Sequence, residues 1–435
     1  MFLKRFQLGL VHLAVAMTLV PINSTLNRVM IKELAISATL VAILASLPYL
    51  FSPIQVFIGS FADRHPLLGW RRTPYILTGL LLCVLGVVVS PLAAFSMAST
   101  YWAGLLIGLL AFGAWGMGYN FAAVSYLSLA SELSGEKGRA RTIATMWFMM
   151  IVGIIFTAVL LSRLVDPYTP EALQRAFWII GMLALVLGAL GILGLEKRNA
   201  AGEAVAAEQF SWRMAFGAVR ENPQASLFFV YLVLLLIALL GQDILLEPFG
   251  AQAFGMPVTE TTRITAVWGG FTLIALVVAG ALEKRTNKRT VAAWGGWGAL
   301  TGFLLIVLSG LMIDARIFYI GVVLLGFGTG FSTVSNLSLM LDMTTVGKVG
   351  LFIGAWGMAN AISRLIGSIL GGAVRDLLTI VLPDPSLAYV VVFAILAILL
   401  LFSLFMLNRI DVQAFLENAE QTSLVERAAL ASETS

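Results

Sequence analysis

Long apolar runs separated by short polar connections dominate the chain. Crossing a hydrocarbon core roughly 30 Å thick takes about 20 residues of helix, and each run is of that length or longer. The pattern predicts twelve spanning helices, near residues 6–30, 36–61, 73–97, 101–130, 140–163, 172–195, 224–249, 262–282, 291–312, 316–341, 350–374 and 386–408. We therefore expect an all-α integral membrane protein.

The longest polar connection lies in the middle of the chain and divides it into two halves. The predicted organisation is an N-terminal six-helix bundle (1–195), a linker (196–223), a C-terminal six-helix bundle (224–408) and a tail (409–435). The halves repeat in sequence, since VSYLSLASE from Val124 and VSNLSLMLD from Val334 each close the fourth span of their half. Parallel repeats imply a pseudo-twofold axis along the membrane normal and a central cleft.

Composition agrees with a lipid environment. Hydrophobic residues make up 60% of the 435 residues and charged ones 11%, which leaves too little polar surface for a water-soluble globule. The basic residues lie scattered in short connections, which argues against nucleic acid as a partner. Most lie on the side of the termini, so the positive-inside rule predicts that both termini are cytoplasmic. A bacterial inner, intracytoplasmic or thylakoid membrane fits equally well.

The connection after the second span, Gly59 to Arg72, reads GSFADRHPLLGWRR. It resembles the loop pattern G-x-x-x-D-R-x-G-R-R of the major facilitator superfamily, with three extra residues before Gly69. The resemblance implies the major facilitator fold and a gate at the cytoplasmic side, joined by acid and base pairs at the ends of the fourth and tenth spans. The predicted gate consists of Asp63, Arg64, Arg71, Arg72, Glu132, Arg139, Asp342 and Lys348. The alternative is a basic loop that only sets topology, with exposed ion pairs of negligible energy.

Charged residues inside predicted spans indicate a functional region, because a charge at mid-membrane costs about 2.5–3.5 kcal/mol and turns toward a cavity or a partner. An offset of 214 places Glu33 of the first span on Glu247 of the seventh. We expect these charges near the outer end of the cleft, with Arg364 within reach of an acid or a buried amide. For Glu247, a helix-end acid reaching the interface is the alternative. The predicted substrate, pigment or coupling residues are Arg28, Glu33, Trp115, Asn120, Gln242, Asp243, Glu247, Trp356 and Arg364.

Aromatic and imidazole side chains within the spans suit a flat lipophilic ligand. His12 lies roughly 10 Å into the first span by helical rise, where its imidazole could ligate the magnesium of a chlorin; a hydrogen bond to a neighbouring helix is the alternative. Four tryptophans lie away from the expected interfaces and could stack on such a ligand, with core packing as the alternative: Trp115, Trp147, Trp268 and Trp356. The sequence has no zinc spacing, Walker loop or dinucleotide fingerprint, so no resident metal is expected.

Four segments carry a more specific resemblance. They are TLNRVMI from Thr25, ADRHPLLGWRRTPY from Ala62, QDILLEPFG from Gln242 and GLFIGAWG from Gly350, and they are similar to the PucC/LhaA family. The resemblance implies a non-enzymatic role in assembling light-harvesting antenna complexes, with chlorophyll or bacteriochlorophyll held as a transient ligand and handed to antenna polypeptides. Membrane lipid, antenna polypeptides and chlorophyll-synthesis enzymes are the implied partners.

Two other classes of function compete with this one. A proton-coupled or facilitative carrier of a small solute would use Asp243 as its coupling acid. A membrane prenyltransferase such as chlorophyll synthase would handle the same pigment, but it needs clustered aspartates to hold magnesium diphosphate. The sequence contains no D-x-x-x-D cluster, so we expect no esterification activity. Which chlorin and which antenna would be involved stays open.

Overall fold

The computed structural model describes residues 2–198, 217, 219–220, 222–283, 285–344 and 349–417. Over these ranges the chain is helical and contains no β-strand. The helices are α1 Phe2–Val20, α2 Ala38–Ala45, α3 Leu47–Leu50, α4 Gln55–Arg64, α5 Thr73–Ser99, α6 Tyr101–Leu164, α7 Pro170–Ile192, α8 Pro223–Gly241, α9 Leu246–Phe254, α10 Val258–Leu282, α11 Lys288–Met312, α12 Ala315–Asp342, α13 Val349–Val381 and α14 Pro385–Leu407.

The observed helices lie where the sequence predicts membrane spans. In the described part of the chain, 10 helical stretches are long and apolar enough to cross a bilayer. Helix α6 supplies two of them, because Gly135 with φ 59° interrupts its helical backbone. The second predicted span is broken into short helices, and the eleventh is the 33-residue α13. The chain is therefore a multi-pass integral membrane protein in which both halves follow the predicted order of helices.

Proline breaks the second span, which the sequence predicts as one helix over 36–61. The structure instead forms α2, α3, a 3₁₀ turn at Ser52–Ile54 and α4. Pro48 and Pro53 have no N–H to donate and clash with the preceding turn, so the helix restarts at each of them. The break brings Tyr49 onto the wall of the central cavity.

The first and seventh spans are also irregular, toward the ends of the helices remote from the termini. After α1 the helix widens into π turns at Pro21–Leu26 and Val29–Glu33. The seventh span, predicted as one helix over 224–249, ends at Gly241 and restarts at α9 after a tight turn. In each case a proline, Pro21 or Pro248, lacks the N–H that a continuous helix would use. Interrupted helices at matching places in two repeats are typical of transporter binding sites.

Close glycine contacts show the repeat in three dimensions. A Cβ built on Gly79 of α5 would lie 2.5 Å from the backbone nitrogen of Ala122 on α6. In the second half, a Cβ on Gly295 of α11 would lie 2.7 Å from the backbone nitrogen of Ser332 on α12. The two glycines are 216 positions apart. Small residues at such positions let membrane helices approach closely, so both halves build the same helix pair.

Candidate functional site

A cavity of about 670 Å³ lies between the two halves. This volume falls within the roughly 300–1,000 Å³ of small-molecule sites. One helix face from each half supplies much of the apolar wall, at spacings of three and four residues: Met150, Ile151 and Ile154 on α6, and Leu232, Leu235, Leu236, Leu239 and Leu240 on α8. Apolar and aromatic side chains make up most of the lining, so the cavity suits a largely apolar ligand.

We call the end of the molecule at which α1 begins the terminal end. Aromatic rings line the part of the cavity that lies toward this end. His12 is buried, and its ring centroid lies 5.0 Å from that of Tyr126 and 6.4 Å from that of Trp147. Trp268 and Trp356 line the cavity from the second half, and neither indole N–H has a hydrogen-bond partner among the described residues. We call His12, Tyr126, Trp147 and Trp356 the aromatic layer.

Charged side chains form the other end of the cavity, which we call the charged floor. Asp243 is ion-paired with Arg364 and also accepts a hydrogen bond from Gln242 Nε2 at 2.8 Å. The Arg364 guanidinium lies 5.0 Å from the ring centroid of Tyr49, which belongs to the first half. The pairing agrees with the expectation for Arg364, because an unpaired guanidinium here would keep its full desolvation cost.

Glu247 in the charged floor differs from Asp243. Its side chain is 3% exposed, and Oε1 accepts a hydrogen bond from Thr265 at 2.5 Å. Oε2 has no hydrogen-bond partner among the described residues. Glu247 therefore does not reach an outer interface, and one of its two carboxylate oxygens is left unsatisfied beside the cavity.

Two glycines position the Asp243 and Arg364 pair. A Cβ built on Gly241 would lie 3.1 Å from the backbone of Gly367, and one on Gly367 would lie 2.7 Å from the carbonyl oxygen of Ile237. Helices α8 and α13 can approach this closely only with small residues at the contact. Each charged residue lies within about one turn of its glycine, so the close approach brings the two side chains together.

Arg28 and Glu33 lie beyond the charged floor, outside the cavity lining. They form an ion pair, and Arg28 also donates to the carbonyl oxygen of Met256 at 3.1 Å in the other half. Next to them, the Thr25 and Thr262 hydroxyls are 2.8 Å apart. The five predicted outer charges therefore divide into the Arg28–Glu33 pair, the Asp243–Arg364 pair and Glu247. The pair of Arg28 ties the halves together at what we call the closed end.

Asp376 on α13 is a closed-end residue that the sequence did not single out. Its carboxylate accepts hydrogen bonds from the Ser37 hydroxyl at 2.7 Å, the Ala38 N–H at 3.1 Å, and the Thr39 N–H and hydroxyl at 2.8 and 2.7 Å. It therefore caps the first turn of α2, which belongs to the other half. A Cβ on Gly372, one turn earlier, would lie 2.7 Å from the Ala38 carbonyl oxygen. The only sequence signal for this contact is Gly372, which lies one helical turn before the acidic Asp376.

Two more predicted ligand residues, besides Arg28 and Glu33, lie away from the cavity. Trp115 is 0% exposed and packs edge-on against Phe112, and Gly86 lies against its backbone. Asn120 is also fully buried, where it accepts from Gln55 at 2.6 Å and donates to the Pro48 carbonyl oxygen at 2.9 Å. The expectation of a ligand contact is wrong for both, because neither has surface to offer a ligand. Trp115 fills the core, and Asn120 ties α6 to the broken second span.

The described acidic gate residues at the terminal end form ion pairs within their own half. Glu132 pairs with Arg71 at 3.4 Å and Arg72 at 3.1 Å. Glu196 accepts the backbone N–H of Arg71, Arg72 and Thr73 and so caps α5. In the second half Asp342 pairs with Lys288 at 2.6 Å. Arg64 is exposed, whereas Asp63, Arg139 and Lys348 lie outside the residues whose side chains are described.

Known proteins place this chain in a family. The family profile described as PUCC protein matches residues 25–415. The chain belongs to the PUCC protein family. It is 31% identical over 385 residues to Protein PucC of Rhodovulum sulfidophilum, covering 86% of this chain and 85% of that protein. It is also 29% identical over 410 residues to the Bacteriochlorophyll synthase 44.5 kDa chain of Rhodobacter capsulatus, covering 92% and 93%.

Solved transporter structures share the architecture of this PUCC family member. A mutant of the nucleoside transporter NupG superposes with a TM-score of 0.71 at 15% identity, over 94% of this chain and 99% of that one. A POT family transporter in complex with a thioalcohol-conjugated peptide gives 0.71 at 14% identity, over 93% and 96%. The likeness confirms the predicted fold class, an all-α major facilitator architecture of two six-helix bundles.

Proposed function

We propose that this protein is a non-enzymatic membrane assembly factor for light-harvesting antenna complexes, which binds chlorophyll or bacteriochlorophyll and delivers it to antenna polypeptides. The observation that carries the proposal is the mainly apolar, aromatic-lined cavity between the halves in a member of the PUCC protein family. A relative whose name mentions bacteriochlorophyll synthase supports the pigment as ligand.

The walls of the cavity support a flat lipophilic ligand. Leucines and isoleucines at helical spacing form two apolar faces, and tryptophan rings line both halves. Such surfaces bury a macrocycle favourably, at about 25 cal/mol per Å² of apolar area removed from water. Membrane lipid, antenna polypeptides and chlorophyll-synthesis enzymes are the partners in this proposal, and both termini are cytoplasmic because basic residues concentrate at that end.

Deleting the gene in its native host tests the proposal. We expect assembled antenna to fall while free pigment and its precursors persist, and the intact gene to restore assembly. Normal antenna levels in the deletion strain would contradict it. In the complemented strain, Asp243→Ala should impair assembly more than Arg316→Ala, because Arg316 is exposed while Asp243 holds the charged floor.

A carrier of a small solute is the second candidate, favoured by the charged floor. Buried acids in transporter cavities serve as proton relays. Asp243 is held by Arg364, whereas Glu247 has an unpartnered oxygen, so both acids belong in the test. Proteoliposomes with a panel of labelled sugars, nucleosides and amino acids would reveal uptake driven by a pH gradient. If Asp243→Asn and Glu247→Gln both leave that uptake and its pH dependence unchanged, proton coupling through the floor is wrong.

Direct pigment esterification has its own test. Purified protein given chlorophyllide and a prenyl diphosphate should form no ester, because the sequence lacks the clustered aspartates that hold magnesium diphosphate. Ester formation above that of a mock preparation would make the protein an enzyme and overturn this part of the proposal.

A further inference from the structure

His12 is a buried imidazole on the cavity wall without a hydrogen-bond partner. Its side chain is 8% exposed, and its Nδ1 atom is buried and unpaired. A lone histidine in a membrane helix ordinarily bonds a neighbouring helix, yet the described residues give His12 ring contacts with Tyr126 and Trp147 and no hydrogen bond. Buried polar groups in native proteins are nearly always satisfied. Nδ1 has almost no accessible surface, so a ligand in the cavity would bind the other ring nitrogen, Nε2.

One imidazole can complete the coordination of a metal ion that a macrocycle already holds. A free divalent cation needs several protein ligands, and the described residues contain no group of three or more His, Cys, Asp or Glu that could hold one. A magnesium tetrapyrrole supplies four nitrogens itself and leaves an axial position for one more donor. Neutral imidazole is the commonest metal ligand among side chains.

The surroundings of His12 fit the flat body of such a ligand. Trp147 starts a cavity-lining face of α6 that continues through Met150, Ile151 and Ile154. Trp356 and Trp268 add indole rings from the other half. Aromatic side chains pair with flat rings in offset or edge-on geometries.

The charged floor lies too deep to compete for the metal. The Thr25 hydroxyl meets that of Thr262, one helical turn before Thr265, which donates to Glu247. Thr25 is thirteen residues beyond His12 on the same span, which corresponds to roughly 20 Å of helical rise. We propose that His12 is the axial ligand to the magnesium of a chlorin bound in the aromatic layer. This assignment rests on the proposed pigment binding and adds the residue that recognises the metal.

Comparing a magnesium chlorin with its metal-free form tests the assignment. The full-length protein in nanodiscs would be titrated with bacteriochlorophyll a and with bacteriopheophytin a, which lacks the magnesium. We expect wild-type protein to prefer the magnesium form, and His12→Phe to bind both equally. The affinity of His12→Phe for bacteriochlorophyll a should fall by roughly 10- to 100-fold or more. A loss of that size is seen when residues that only support a metal ligand are removed. Phenylalanine keeps the ring contacts to Tyr126 and Trp147.

The other histidine provides a matched control. His65 is exposed, stacks on Phe61 and does not line the cavity, so His65→Phe should keep the wild-type preference. Adding imidazole to His12→Gly should restore magnesium-selective binding, with the absorption and resonance Raman signature of an imidazole-ligated magnesium. This rescue guards against a variant that merely folds poorly.

Each outcome separates the ligand assignment from the proposed function. Equal wild-type affinity for the two macrocycles, or a preference that survives in His12→Phe, would overturn the role of His12 while leaving pigment binding intact. Failure of wild-type protein to bind either macrocycle would overturn the proposed function as well.

Discussion

The two ends of the molecule use charged side chains in opposite ways. At the terminal end, Glu132 and Glu196 hold the loop that starts α5, and Lys288 pairs with Asp342, so each of these contacts stays within one half. At the closed end, Arg28 and Asp376 reach across to backbone groups of the other half. One end stiffens each bundle, and the other joins the two bundles.

This difference indicates which contacts must break if the halves rock. Domain closure moves rigid bodies about a few contacts that exist in one state only. The hydrogen bonds of Asp376 and Arg28 are of that kind, because they connect surfaces that would separate when the closed end opens. The terminal-end contacts would travel with their own bundle. Substitutions at the closed end should therefore change closure, and those at the terminal end should change only the stability of one half.

Asp376→Ala should have the largest effect on closure. It removes an acceptor from four donors at the start of α2, and hydrogen bonds to charged groups contribute about 1.5–3 kcal/mol each. We expect the ratio of closed to open forms to fall roughly tenfold or more, since each 1.4 kcal/mol is a factor of about ten. Lys32 Nζ donates to Gln252 Oε1 across the halves at 2.7 Å. In a Cys83→Ala background with Lys32→Cys and Gln252→Cys, a bifunctional thiol reagent that spans these side chains should form fewer cross-links once Asp376→Ala is added.

Asp384→Ala is the matched control for that change. Asp384 also caps a helix, but it accepts from Ser386 within its own half, and these hydrogen bonds lower the pKa of its carboxyl. Losing such a cap costs about 1 kcal/mol of helix stability and should leave the cross-link unchanged. Equal losses of cross-linking in the two variants would show that Asp376 is only a local cap.

Glu196→Ala should have an intermediate effect confined to the first half. The carboxylate accepts three backbone N–H groups at the start of α5, so its removal should destabilise the protein by about 0.5–2 kcal/mol. Thermal unfolding followed by tryptophan fluorescence would measure the change, and the cross-link at the closed end should persist. Glu171→Ala is a suitable control, because Thr169 already caps that helix. A drop in cross-linking with Glu196→Ala would contradict the division between the ends.

Lys288→Ala should have the smallest effect. The pair it forms with Asp342 is partly exposed, with 32% and 41% of the side chains accessible, and exposed pairs contribute about 0–1 kcal/mol. We expect thermal stability and closed-end cross-linking both to stay near wild type, with any difference vanishing at high salt. Marked destabilisation would mean that this pair holds α11 and α12 together.

The sequence singled out most of the charged and aromatic residues that line the cavity, but it did not show which candidates face it. Asp243 and Arg364 stand out in apolar spans because an isolated charge there is costly, and the structure pairs them. Trp115 and Trp356 look alike in the sequence, yet only Trp356 lines the cavity. A helix that is apolar all round has no hydrophobic stripe to show which face points inward, so the pattern could not separate them.

The order of the apolar spans follows from the sequence by itself, whereas the breaks inside the second and seventh spans do not. A bilayer requires apolar runs of a minimum length whose backbone groups form hydrogen bonds within the segment. Such runs are visible directly in the amino-acid sequence. The tertiary structure alone decided that Asp376 caps a helix of the other half, that Asp342 meets Lys288, and that His12 lies against the rings of Tyr126 and Trp147. These contacts depend on how each helix is rotated and how closely glycines let it approach, and such rotations are set by packing between distant segments of the chain.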